Sequence, residues 1–221
     1  MELMLELKGK YLIKSTMIIL FDIDGVLINL HFYFSKKLEN KGYKLASLFL
    51  DEFFHSEEYL KSLVGKADAK KLIEPYLRKM KWEKGVSEYF IEQFNFEIKY
   101  LDRNIMSEIK KLSKKGIKCF LCTDQEQYRL KFLTRRIELK ILFSGCFASS
   151  DIGFRKCEKG FWEHVIKNNN INPSEMIFFD DKEINIDIAT KEGIRAFLFT
   201  DFNNFKIDLF KSGIKSLEKN K

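Results

Sequence analysis

Five aspartates and one threonine stand where three short apolar runs of this sequence end. They form three groups: Asp22 with Asp24, Thr123 with Asp124, and Asp180 with Asp181. Carboxylates are rarely buried without a partner, because their removal from water is costly. If the groups meet in the fold, the site needs a cation, and its oxygen ligands suit Mg²⁺, which keeps open positions for phosphate oxygens. The pattern therefore indicates a Mg²⁺ site that could accept phosphate oxygens.

Each of these side chains taken alone has a simpler interpretation. An aspartate after a strand is commonly a helix N-cap or a turn residue, and Asp180 and Asp181 precede a predicted helix. Capping alone does not readily explain why such residues end three separate strands. We therefore interpret the set as functional.

The same apolar runs predict the elements that position these groups. Strands are predicted at residues 17–21, 117–123, 176–179 and 194–199, with a weaker one at 142–147. Helical patterns separate the later strands, which predicts an α/β fold with a Rossmann-like parallel sheet and helices on both faces. In such sheets the binding crevice lies at the carboxyl ends of the strands. The three groups should therefore meet at one edge.

Residues 31–96 interrupt the alternation of strands and helices. They contain short amphipathic pieces at 67–80 and 87–94 and no alternation typical of a strand. We predict a helical cap at 31–96, inserted after the first strand, and an α/β core made of 17–30 and 97–221. The charged residues 1–16 are predicted to be a leader segment, and Met17 is our hypothesis for the translation start.

The composition narrows the class of partner. The formal net charge is +7, and such charge attracts anionic substrates to clefts. The lysines are dispersed, however, which is typical of solvated helix faces and not of a nucleic-acid interface. No apolar stretch has the length of a membrane helix. We expect a small phosphorylated metabolite as partner, no nucleic acid and no membrane, and the oligomeric state stays open.

Two of the four cysteines, Cys119 and Cys122, have the C-x-x-C spacing of many metal and redox sites. They fall on a predicted strand, where residues three apart point to opposite faces. We therefore expect reduced thiols in a cytoplasmic protein and no thiolate metal site.

Four motifs together resemble the haloacid dehalogenase (HAD) superfamily. They are Asp22-Ile23-Asp24-Gly25-Val26-Leu27, then Thr123, then Gly153-Phe154-Arg155-Lys156, and finally Asp180-Asp181 followed by Asn185. They occur in the order of the superfamily's signatures and cover residues 17–200. The spacing resembles the branch with small helical caps, which includes sugar-phosphate phosphatases and the phosphatase domain of soluble epoxide hydrolase.

The resemblance implies a phosphomonoesterase that works through an aspartyl-phosphate. Asp22 would be the nucleophile, and Asp24 would protonate the leaving group and later deprotonate water. Thr123, Asp124 and Lys156 occupy the phosphate-binding positions, with Thr123 donating a hydrogen bond and Lys156 neutralising charge.

The resemblance also implies a Mg²⁺ site. Asp22, Asp180 and Asp181 would hold the ion with their carboxylates, and Asp24 would do so with its backbone carbonyl. Asn185 would support these ligands from behind.

Two residues depart from the superfamily pattern. Asp124 replaces the usual Asn, and as a carboxylate facing phosphate it must turn away, pair with a cation or be protonated. Cys157 replaces the usual Pro, which predicts a looser loop around Lys156.

Alternatives to a phosphatase remain at this point. A dehalogenase is disfavoured because it needs no acid at Asp24. A phosphomutase, or a non-catalytic module that binds a metal or a phosphate ligand, stays open. Aromatic residues of the predicted cap contact substrate or, more commonly, form the cap core; they are Phe32, Tyr33, Phe34, Phe53 and Phe54, together with His55.

Overall fold

The computed structural model describes residues 17–30 and 33–214. Five strands form one sheet in the order β3-β2-β1-β4-β5, and every pair is parallel. The strands are β1 (Ile18–Phe21), β2 (Lys118–Thr123), β3 (Gly145–Ala148), β4 (Met176–Asp180) and β5 (Arg195–Leu198). The predicted α/β fold with a Rossmann-like sheet is confirmed.

The strand boundaries match the prediction to within three residues, and the start of β3 differs most. Residues 142–144, predicted to open this strand, instead follow a short helix, where the amides of Leu142 and Phe143 donate to the carbonyl of Leu139. Those hydrogen bonds close a turn, so the strand begins only at Gly145.

Both faces of the sheet are buried, which explains why its strands read as continuous apolar runs. In β1, Ile19 and Phe21 join one hydrophobic core, whereas Ile18 and Leu20 join the other. Cys119 lies in the first core and Cys122 in the second, and both thiols are free. The prediction that these two cysteines face opposite sides is confirmed.

Helices cover both faces. The helices after the first hundred residues are α6 (Arg103–Lys114), α7 (Gln127–Thr134), α8 (Ile137–Lys140), α9 (Ser149–Ile152), α10 (Lys159–Asn169), α11 (Glu183–Lys191) and α12 (Phe202–Lys211). Helices α6 and α12 contribute to the core that contains Phe21, and α10 and α11 contribute to the core that contains Leu20.

Five helices precede α6 and share a third hydrophobic core. They are α1 (Phe34–Asn40), α2 (Ala46–Phe54), α3 (Glu57–Leu63), α4 (Ala69–Lys79) and α5 (Val86–Glu97). Phe34 and Phe53 lie buried in this core, as expected of most cap aromatics. We keep the division into a cap and a core as an interpretation, and we use "cap" for residues 33–97 below. His31, Phe32 and the predicted leader lie outside the described residues.

No helix in the described part of the chain combines the length and the apolar character needed to cross a membrane.

Candidate active site

The carboxyl ends of β1, β2 and β4 converge because their registers align. Phe21 of β1 pairs with Leu121 of β2 and with Phe179 of β4. The chain then turns tightly, since the amides of Leu27 and Ile28 both donate to the carbonyl of Ile23, at 2.9 and 2.7 Å. Asp22, Thr123 and Asp180 therefore end three adjacent strands at one edge of the sheet, as predicted.

A buried lysine links two of these aspartates. The Nζ atom of Lys156 lies 2.6 Å from Oδ1 of Asp22 and 2.6 Å from Oδ2 of Asp180. All three side chains are almost completely buried. The lysine predicted from the third motif is thus in direct contact with the predicted nucleophile.

Asn185 holds the carboxylate of Asp180 in place. Its Nδ2 atom donates to both carboxylate oxygens of Asp180 at 3.0 Å, and the amide of Lys182 donates to Oδ1 at 2.8 Å. Asn185 is buried. The structure therefore places Asn185 where a supporting role was predicted.

Three carboxylates form a group suited to a metal ion. Asp22, Asp180 and Asp181 each offer an oxygen, and these oxygens lie within 4.8 Å of one another. Lys156 supplies a single positive charge to a cluster of three negative ones, so a divalent cation fits the remaining charge. The side chain of Asp24 is not part of this group, and its predicted ligand was the backbone carbonyl.

The pKa values of the site also favour a bound cation. Burial raises the pKa of Asp22 to about 7; Lys156 opposes this rise, and the Asp180 carboxylate adds to it. Burial would lower the pKa of Lys156, but Asp22 and Asp180 raise it well above its ordinary value, so the lysine stays charged. Nearby positive charge favours the ionised form of a carboxylate, which a nucleophilic aspartate requires.

Asp24 is held by an arginine that was not predicted. Arg129 of α7 donates from Nη1 to Oδ2 of Asp24 at 2.5 Å and from Nη2 to Oδ1 at 2.7 Å. Gln125 also donates to Oδ2, at 2.6 Å. Burial is the largest single influence and would raise the pKa of Asp24, but the charge and hydrogen bonds of Arg129, together with Gln125 and Lys156, lower it below its ordinary value. Asp24 is therefore held as a carboxylate in this conformation.

The same arginine reaches the cap. Its Nε atom lies 3.1 Å from Oε2 of Glu97, the last residue of α5. The Arg129 side chain is 12% exposed and that of Glu97 is 9% exposed, so this is a buried contact. The sequence signal for Arg129 was modest: it stands four residues after Gln125, which directly follows Thr123 and Asp124.

Thr123 and Asp124 behave differently although they are neighbours. The hydroxyl of Thr123 is buried and has no hydrogen-bond partner among the described residues, so it is free to donate to a ligand. Oδ1 of Asp124 instead accepts a hydrogen bond from the backbone amide of Lys156 at 3.0 Å. Three arrangements were considered for Asp124, and the structure shows one in which its carboxylate turns towards the loop that carries Lys156.

The Lys156 loop is also held from its other side. Nε1 of Trp162 donates to the carbonyl of Lys156 at 2.7 Å. The backbone around Lys156 is therefore restrained by Asp124 and Trp162, which the prediction of a looser loop at Cys157 did not include.

Comparisons with known structures agree with this architecture. A HAD family enzyme from Bacteroides thetaiotaomicron, solved with magnesium and inorganic phosphate, has a TM-score of 0.68 at 17% identity, over 86% of this chain and 98% of that one. A predicted HAD-like family hydrolase from Porphyromonas gingivalis has a TM-score of 0.68 at 20% identity, over 90% of this chain and 100% of that one. At these identities the likeness establishes the fold.

Sequence comparison adds a relative and a family. A sesquiterpene phosphatase from Aspergillus oryzae is 31% identical over 100 residues, which are 45% of this chain and 51% of that protein. The chain thus spans about half the length of the curated relative that it matches. A family model for the haloacid dehalogenase-like hydrolases matches residues 16–191, so the chain belongs to the haloacid dehalogenase-like hydrolase family.

Proposed function

We propose that this protein is a Mg²⁺-dependent phosphomonoesterase that works through an aspartyl-phosphate on Asp22. The observation that carries the proposal is the buried contact of Lys156 with Asp22 and Asp180, within a group of three carboxylates. The unpartnered hydroxyl of Thr123 at the end of the next strand supplies a donor for a phosphate oxygen. The name of the Aspergillus relative, a phosphatase, supports the same reaction class.

The first chemical step belongs to Asp22. Lys156 contacts Oδ1, and we assign the attack on phosphorus to the second oxygen. The new Oδ–P bond forms as the P–O bond to the alcohol breaks, and the departing alkoxide takes a proton from Asp24. In the second step water attacks phosphorus, Asp24 takes its proton, and the Asp22 carboxylate leaves. Lys156 and Thr123 stabilise the charge on the phosphoryl oxygens in both steps.

Asp24 cannot perform this role while it stays paired with Arg129. Both of its carboxylate oxygens accept hydrogen bonds from the guanidinium group. Proton transfer to a leaving group therefore requires the carboxylate to separate from at least one guanidinium nitrogen and to take up a proton from solvent before the alkoxide departs. Since Arg129 also contacts Glu97 of the cap, we infer that a shift of the cap releases Asp24.

Mg²⁺ would be held by Asp22, Asp180 and Asp181, together with the backbone carbonyl of Asp24. When bound, it neutralises these carboxylates and polarises the phosphate. The solved Bacteroides enzyme carries magnesium and inorganic phosphate, which supports this choice of ion.

Removal of the metal tests the proposal directly. Protein treated with EDTA should release no phosphate from p-nitrophenyl phosphate, and added Mg²⁺ should restore turnover. Mg²⁺ should also raise the melting temperature, because it binds the folded carboxylate group and not the unfolded chain. Turnover that EDTA leaves unchanged, or a melting temperature that does not respond to Mg²⁺, would contradict the metal assignment.

Gly25 offers a second test of the metal site. Its φ is +82°, and a Cβ atom there would lie 2.3 Å from Oδ2 of Asp181. We expect Gly25→Ala to displace the Asp181 carboxylate and to weaken Mg²⁺ binding by at least about tenfold, equivalent to ~1.4 kcal/mol. Isothermal titration calorimetry with Mg²⁺ measures this effect.

Gly42→Ala is the matched control for Gly25→Ala. Gly42 has a φ of +98°, but a Cβ atom added there would meet no described atom within 4 Å. Its alanine variant should therefore carry only the backbone cost of a left-handed residue, about 1–2 kcal/mol in unfolding free energy. Equal Mg²⁺ affinities in the two variants would show that the approach of Asp181 to Gly25 does not matter for the metal.

A further inference from the structure

Two cavities adjoin each other, one between the catalytic loop and the cap and the other among cap residues. The first has a volume of about 460 Å³ and is lined by Asp24, Gly25 and Asp181 on the core side. The second has a volume of about 530 Å³ and extends along the cap. Four cap residues line both cavities, namely Tyr33, Phe54, Gln93 and Glu97. A group esterified to a phosphate at Asp22 would therefore extend from the first cavity towards the second.

Apolar side chains line both cavities, and two of those named here are exposed. Tyr33 is 64% exposed and Leu48 is 59% exposed, and each lines the second cavity. Phe54 is partly buried and lines both cavities, and Tyr59, Phe90 and Phe94 line the first. Exposed apolar side chains grouped in a cleft gain free energy when an apolar ligand covers them.

The charges of the cavities disfavour a second anionic group on the substrate. Five carboxylates line them: Asp24, Asp51, Glu97, Glu126 and Asp181. The lining cations are Lys36, Arg129 and Lys182. Lys36 is paired with Glu39 at 2.9 Å, and Arg129 is paired with Asp24 and Glu97. Among the described cap residues that line the cavities, Lys36 is therefore the single lysine or arginine, and His55 lies 3.3 Å from the Asp51 carboxylate.

The buried polar side chains of the cap wall are either uncharged or already paired with a cation. Gln93 and Glu97 lie one turn apart on α5, and Nε2 of Gln93 donates to Oε1 of Glu97 at 2.8 Å. Oε1 of Gln93 is buried without a partner among the described residues, and so is the hydroxyl of Tyr89 one turn earlier. An amide carbonyl and a carboxylate repel an anion, so this wall fits an uncharged group.

We propose that the preferred substrates are phosphomonoesters of an apolar alcohol that carries no second anionic group, with its hydrocarbon part lying against Leu48 and Phe54. This inference rests on the proposed function and narrows its substrate class. It ranks sugar phosphates lower, because the two unpartnered polar groups of the cap wall, on Tyr89 and Gln93, could satisfy only a few of their hydroxyls. It also disfavours a phosphomutase, because the bisphosphate of such a reaction would place its second phosphate among carboxylates.

A series of esters with one type of leaving group tests the proposal. Butyl, hexyl and octyl phosphate and glucose 6-phosphate are all esters of primary alcohols, so their intrinsic reactivities are similar. With saturating Mg²⁺, we expect kcat/KM to rise by roughly 10- to 15-fold for each two added carbons, because burial of each further methylene group is favourable. Octyl phosphate should exceed glucose 6-phosphate by at least about tenfold, which is ~1.4 kcal/mol, and fructose 1,6-bisphosphate should be poorer still.

Two variants locate the effect in the cavities. Leu48→Ser and Phe54→Ser should each flatten the dependence on chain length, with the largest loss of kcat/KM on octyl phosphate. The matched control is Ile91→Ser, since Ile91 is 55% exposed on α5 and lines neither cavity. Its chain-length dependence should be unchanged.

The outcomes distinguish a wrong substrate class from a wrong assignment of phosphatase activity. Turnover that is independent of chain length, or a preference for glucose 6-phosphate, would overturn the substrate class and leave the phosphatase intact. A response to Ile91→Ser equal to that of Leu48→Ser would place the effect outside the cavities and overturn the proposal as well. Absence of turnover on every ester, p-nitrophenyl phosphate included, would overturn the phosphatase itself.

Discussion

Asp22→Asn should lower kcat for p-nitrophenyl phosphate by at least about 10⁴-fold, the scale on which removal of a nucleophile acts in other hydrolases. An amide oxygen cannot replace the carboxylate in the attack on phosphorus. The substitution should not unfold the protein, because the Asn oxygen can still accept the hydrogen bond that Lys156 makes at 2.6 Å. Unfolding free energy in EDTA should even rise, since one of three clustered negative charges is lost. Steady-state kinetics and urea denaturation measure the two effects.

The control for Asp22→Asn is Asp187→Asn. Asp187 lies on α11 and is outside the group of carboxylates suited to a metal, so its variant makes the same change in net charge away from the site. We expect wild-type kinetics from it. Asp22→Asn protein that retained even a hundredth of wild-type turnover, after purification away from contaminating phosphatases, would exclude Asp22 as the nucleophile.

The sheet and its carboxylates were predictable because the physics behind them is local. Strands buried on both faces must be apolar throughout, as in β1 and β4, and such runs stand out in a sequence. Parallel strands then place Asp22, Thr123 and Asp180 at one edge whatever the exact register. The weak run at 142–147 was less well placed, because its first residues are apolar for packing and take the conformation of a turn.

The ion pairs of Arg129 could not be predicted in the same way. Arg129 is 105 residues from Asp24 along the chain, and its contact with Glu97 depends on how the cap packs on the core. Among 39 basic residues, Arg129 is marked only by its spacing from Gln125, and that spacing does not show that the side chain is buried. The hydrogen bond between Asp124 and the Lys156 loop could not be predicted for a related reason. Its donor is a backbone amide, and a backbone amide has no signature in a sequence.

Lys156→Met should destabilise the protein strongly in the absence of Mg²⁺. Removing one partner of a buried ion pair typically costs about 3–5 kcal/mol, because the remaining charge is left without compensation. Here two buried carboxylates, Asp22 and Asp180, would lose their shared cation. The loop itself should stay in place, since Asp124 and Trp162 hold the backbone of residue 156 and not its side chain. Urea denaturation in EDTA measures the loss.

The metal separates electrostatic destabilisation from mere loss of packing in Lys156→Met. A dication at Asp22, Asp180 and Asp181 would replace part of the missing positive charge, so Mg²⁺ should recover more unfolding free energy in the variant than it adds to the wild type. Lys159→Met is the control: Lys159 is 67% exposed and paired with Glu163, and a surface pair of this kind contributes about 0–1 kcal/mol. If Lys156→Met and Lys159→Met lost similar stability, or if Mg²⁺ stabilised Lys156→Met no more than the wild type, the carboxylates would not depend on Lys156 for their charge balance. The chemistry assigned to Asp22 would then lack its electrostatic basis. Lys156 has two roles in the proposal, since it balances the charge of the buried aspartates and stabilises the phosphoryl group during transfer.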